Sequence, residues 1–139
     1  MKTVFRIISI IPILFLCGCL NFFTSSSSSG SNEIDSKYFG TYEGTITTIH
    51  NDQTSYQSTA TVTVSSGSVI SVNIYGYISF YNNIYKDNLV KVSDTLYTAS
   101  FSSSGYIYNF TFAFSQSAMN LQFTRSDNTV SSGTLTKVR

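Results

Sequence analysis

The side chains able to give or take a proton, or to attack a carbonyl, are few and scattered. His50 is the only histidine and stands at the Asn51-Asp52 turn, with no second imidazole or neighbouring thiol to complete a transition-metal site. Glu43, Asp52, Asp87, Asp94 and Asp127 fall at irregular spacings, so no two are set to work as acid and base. The many serines lack a Gly-X-Ser-X-Gly turn. Asp87-Asn88 and Asp127-Asn128 offer oxygen ligands to calcium without the Asp-X-Asp loop that would gather them. The expectation is a protein that is not an enzyme and holds neither metal nor cofactor. The other reactive groups are the thiols of Cys17 and Cys19.

Both thiols close an apolar N-terminal run. Lys2 and Arg6 supply positive charge ahead of Ile7 to Leu16, a core broken only by Ser9 and Pro12. That core is far shorter than the about 20 residues a spanning helix needs. At its end, Leu16-Cys17-Gly18-Cys19 resembles the lipobox of bacterial lipoproteins. The resemblance implies that Leu16 and Gly18 are read by a signal peptidase and that cleavage leaves Cys19 as the first residue, acylated by palmitate-like chains. Two or more chains on one cysteine give a stable membrane anchor, since each buried methylene contributes about 0.8 kcal/mol and a single chain holds only marginally. Leu20, where an aspartate would favour inner-membrane retention, points to the outer membrane of a diderm cell envelope.

The chain then divides into residues 1–18 as signal peptide, 19–36 as lipidated cysteine and flexible Ser-rich linker, and 37–139 as one domain. The linker prediction rests on Ser25 to Ser29, Gly30, Ser31 and Asn32, which carry too little apolar surface to offset the entropy of ordering them. Phe22 and Phe23 stand where they would dip into the membrane interface. Once Lys2 and Arg6 leave with the signal, acidic residues outnumber basic ones by one, which gives no electrostatic footprint for nucleic acid. Both cysteines lie in the lipobox, so the domain has no disulfide and depends on an ordinary packed core.

Beyond Lys37 the sequence reads as strands. Tyr56, Ala60, Val62 and Val64 alternate with Thr59, Thr61 and Thr63, and Ile70, Val72, Ile74, Ile78 and Phe80 share the next face. Ser65-Ser66-Gly67-Ser68 makes a turn between them. Tyr106, Tyr108, Phe110, Phe112 and Phe114 alternate with Ile107, Asn109, Thr111 and Ala113, and Met119, Leu121 and Phe123 continue the pattern. With further strands near 38–49, 89–93, 95–102 and 133–138, the expectation is an all-β domain of about eight antiparallel strands in an up-and-down meander. Such a meander closes into a small barrel, with a two-sheet sandwich as the alternative.

Gly40-Thr41-Tyr42 resembles the Gly-X-Trp signature that opens lipocalins and related calycin barrels, with tyrosine in place of tryptophan. The resemblance implies a calycin-like barrel in which a basic residue of the last strand, Lys137 or Arg139, packs over Tyr42. Tyr106, Tyr108, Phe110, Phe112, Phe114 and Phe123 would then face inward, lining a pocket for a small apolar ligand or simply filling the core. Tyr75, Tyr77 and Tyr81 would lie on the opposite face, suited to an envelope or host protein or a glycan. The functional expectation is thus a lipid-anchored binding protein for a small apolar molecule. The alternatives are a surface interaction module and an inhibitor of an envelope-degrading enzyme, as some barrel-shaped bacterial lipoproteins inhibit lysozyme.

Overall fold

A computed structural model describes residues 32–139. The lipobox residues Leu16, Gly18 and Cys19, and most of the Ser-rich linker, lie outside the described residues. Nine strands follow one another: β1 (Gly40–Ile49), β2 (Ser55–Ser65), β3 (Val69–Gly76), β4 (Phe80–Ile84), β5 (Leu89–Lys91), β6 (Leu96–Ser103), β7 (Tyr106–Phe114), β8 (Ala118–Arg125) and β9 (Val130–Lys137). All pair antiparallel in one sheet of order β4-β3-β2-β1-β9-β8-β7-β6-β5. Because β9 returns to pair with β1, the meander curls into a nearly closed barrel whose seam lies between β4 and β5.

The expected all-β meander of about eight antiparallel strands is present, and its strands number nine. Ile70 to Phe80, which alternates as one run, is split at Gly76, whose φ of 131° is open to glycine and strained for other residues. A side chain there would also press on Ser58, with the nearest atom 3.0 Å away. The chain bends over Tyr77–Ser79 and resumes as β4, while Ile78 stays 8% exposed at the bend. Between β6 and β7 the two-residue turn Ser104-Gly105 has φ of 51° and 80°, the doubly positive geometry that matches hairpin twist.

Alternation places the apolar side chains inside. Ala60, Val62 and Val64 of β2, Ile70, Val72 and Ile74 of β3, and Phe110, Phe112 and Phe114 of β7 are all buried. Thr48 and Ser131, paired across β1 and β9, are buried with them and join hydroxyls at 2.8 Å, which removes the cost of hiding both groups. Gly40 opens β1 at φ 140°, where a Cβ would collide with the carbonyl oxygen of Arg139. Lys137 Nζ lies over the Tyr42 ring, 5.8 Å from its centroid, and donates to the Lys37 carbonyl at 2.9 Å.

One end of the barrel is capped by the chain that leads into it. Ile34, inside the stretch read from composition as linker, is 4% exposed, and so is Tyr38, on the 3-10 turn Ser36–Tyr38. Tyr38 stacks on Phe114 at 4.8 Å, and its carbonyl accepts from the buried Tyr42 hydroxyl at 2.8 Å. The Ile34 amide donates to Ser68 Oγ at 2.9 Å and the Tyr97 hydroxyl to the Glu33 carbonyl at 3.3 Å. The packed domain therefore begins ahead of Lys37.

Candidate functional site

The rings expected to line a pocket lie mainly against one another. Phe110 is at the centre, 5.1 Å from Phe123, 5.7 Å from Phe112, 5.5 Å from Phe80 and 5.6 Å from Phe101 by ring centroids. Tyr108, Phe110, Phe112, Phe114 and Phe123 are all buried. Tyr106 is not among them. It stands at the uncapped end, 38% exposed, with the Arg125 guanidinium 4.4 Å over its ring. Alternation correctly gives its side of the strand, but the last inward position of a barrel strand is rim.

At that uncapped end a second group forms that spacing did not bring together. Tyr56 of β2 and Tyr77 of the β3–β4 bend stack with centroids 3.7 Å apart, and His50 sits edge-to-face beside both, at 5.9 and 5.2 Å. His50 Nδ1 is 3.4 Å from Thr129 Oγ1, while its Nε2 is buried without a hydrogen-bond partner. Partial desolvation in the stack raises the Tyr77 hydroxyl above its ordinary pKa, with Tyr56 adding to the shift, while the residue stays 53% exposed. Arg125 and Asp127 form a two-pronged ion pair close by, at 2.9 and 2.6 Å. That pair holds the Asp127 carboxyl well below the usual range, with help from the Thr129 hydroxyl and amide.

Three other carboxylates serve local structure. Asp52 accepts from the Thr54 amide and hydroxyl at 3.0 and 2.6 Å, Asp35 pairs with Lys37 at 2.8 Å, and Asp94 pairs with Lys91 at 2.9 Å. Among the described residues, no group of three His, Cys, Asp or Glu side chains comes together as a metal site.

Searches of protein-family models, of curated proteins and of solved structures each find no match.

Of the three tyrosines expected on one face, Tyr77 turns away into the stack with Tyr56. Tyr75 and Tyr81 remain on the outer wall, 63% and 70% exposed, and neither ring packs against another aromatic among the described residues. Tyr81 lies directly across the ladder from Asn73, and the Asn73 amide donates to the Tyr75 hydroxyl at 3.0 Å. Between the two rings runs an open groove of about 380 Å³, lined by Asn73, Ile74, Tyr75, Ser79, Phe80 and Tyr81. Its neutral donors, acceptors and ring faces can bind and orient a ligand, and no carboxylate, histidine or thiol reaches into it. Alternation gave the positions of both rings. The bend at Gly76 that brings Ser79 and Phe80 beside them was not visible in a run that alternates through it.

Proposed function

We propose that the chain is a membrane-tethered, non-catalytic recognition module whose working surface is the outer face of β3 and β4. One observation carries this reading: Tyr75 and Tyr81 are 63% and 70% exposed and stack on no other aromatic ring among the described residues, whereas the interior rings are in contact with one another. Burying one such aromatic against a partner contributes on the order of 1.5–3 kcal/mol, which a solvated tyrosine forgoes until something covers it. The tether rests on the lipobox-like Leu16-Cys17-Gly18-Cys19. Glu33 and Ile34, among the first described residues, pack at the capped end, opposite the Tyr56–Tyr77 stack.

Two measurements test the two halves of the proposal. The mature chain, weighed intact, is expected to begin at Cys19 with acyl chains attached; a free Cys19 or a different first residue removes the tether. The recognition half is read by amide NMR of the isotopically labelled full chain in detergent micelles, titrated first with solubilised envelope material and then with extracted lipids. Shifts confined to outward residues of β3 and β4 on the first addition support the outer face. Shifts at Phe110 and Phe123 on adding lipid would instead favour an apolar molecule held inside.

A further inference from the structure

The outer wall of the barrel is almost free of charge. Thr45, Thr59 and Tyr75 lie side by side across β1, β2 and β3, the next row holds Glu43, Thr61, Asn73 and Tyr81, and the next Thr41, Thr63, Ser71 and Asn83. On the far side Thr134 lies opposite Asn120, and Thr111 between Gln122 and Thr98. Among the described residues, Glu43 is the one charged side chain at an outward strand position. Lys91, Arg125 and Lys137 belong by register to the inward set, opposite Tyr97, Tyr108 and Tyr42, and emerge at the barrel ends.

That make-up decides between classes of ligand. A wall whose strand positions carry a single carboxylate has little field with which to steer a polyanion or a polycation. A protein partner is ordinarily held by an apolar centre with arginine and aromatic anchors, and the groove between Tyr75 and Tyr81 contains no arginine. Beside Ile74 and Phe80 it offers two open rings, the Asn73 amide and the Ser79 hydroxyl. The Asn73 nitrogen is engaged by the Tyr75 hydroxyl, which leaves the amide oxygen to accept from a ligand. A sugar ring presents the complement of this set. One face is a patch of C–H groups that lies flat on an aromatic ring, and the rim is a circle of hydroxyls that both donate and accept.

We propose that this groove binds an uncharged carbohydrate chain, with Tyr75 and Tyr81 as stacking platforms and Asn73 and Ser79 as hydrogen-bonding partners. The proposal rests on the recognition reading above and names its ligand class. The hydroxyl- and amide-bearing rows beside the groove continue it across β2 and β1, with Glu43 the one charge among them, so a polymer longer than the groove has further hydroxyl contacts to follow.

The test is affinity electrophoresis of the full chain in detergent micelles through native gels containing dextran, galactomannan, xyloglucan or a soluble β-1,3-glucan, with polygalacturonate and heparin as anionic controls. Retardation by at least one neutral polysaccharide, unchanged over about a tenfold range of salt, is expected. The Tyr75→Ala/Tyr81→Ala variant should lose about tenfold or more in affinity, and Tyr75→Phe/Tyr81→Phe should keep most of it, because stacking needs the ring. Circular dichroism of each variant reports whether the fold is kept. Binding only to the anionic gels, or to none, overturns the carbohydrate assignment. If the outer-face NMR shifts persist in that case, the recognition reading survives it. Neutral binding that the double alanine variant retains overturns both, since the site is then elsewhere.

Discussion

Arg125 and Asp127 tie the β8–β9 loop down at the uncapped end, where Asn51 from the β1–β2 loop donates to the Asp127 carbonyl at 2.8 Å. Arg125 holds the Asp127 carboxyl below its ordinary value of 3.8, with Thr129 adding to the effect. A carboxyl whose pKa is lower folded than unfolded stabilises the fold fully above its unfolded value and loses that contribution as pH falls toward the folded one. Asp127→Asn should therefore cost about 1 kcal/mol at neutral pH, a figure kept small because the pair is partly solvated. The difference from wild type should shrink below about pH 4 in urea unfolding curves. Tyr42→Phe deletes the hydroxyl that satisfies the Tyr38 carbonyl in the core and should cost about 1 kcal/mol, read as a lower Tm with unchanged secondary structure. Gly40→Ala meets both a left-handed φ and the Arg139 carbonyl, and should cost about 2 kcal/mol or more in the same measurement.

Strands with clean alternation were legible because one face is buried and the other is wet, and the period of two then writes itself into residue type. The paired runs of β2 and β7 are of this kind. The capping turn was not legible: Ile34 is a single apolar residue beside a serine tract, Tyr38 reads as the start of the first strand, and only the barrel end they fill explains them. Nor was the split between β3 and β4, since Ile78 and Phe80 keep the inward parity across the bend. In the site, the positions of Tyr75 and Tyr81 were readable from parity, whereas the diversion of Tyr77 to Tyr56 depends on a contact between β2 and a loop distant in sequence. If the cap is an integral part of the core, Tyr38→Ala should cost about 3 kcal/mol, as loss of a packed aromatic does elsewhere, and should speed hydrogen exchange in β1 and β7 where its ring lay. The outermost strands β4 and β5 each pair with a single neighbour, and β5 over three residues only. Their amides should exchange ahead of those in β1 and β9, which are paired on both sides.

At the scale of the whole molecule, the two ends of the domain meet. The Thr41 amide donates to the Arg139 carbonyl at 2.9 Å, and the Val138 amide to the Thr41 carbonyl at 2.8 Å. The seam lies elsewhere, between β4 and β5, where the chain crosses by the short turn Lys86–Asn88 and the sheet has no ladder. Every ladder other than that of β1 with β9 joins strands consecutive in the chain. A circular permutant that fuses residue 139 to residue 33 through a short glycine-serine bridge and starts at Asn88 would turn that one long-range pairing into a local one. It should keep the native strand set by circular dichroism and fold faster than the parent in stopped-flow refolding, because its pairings close shorter loops.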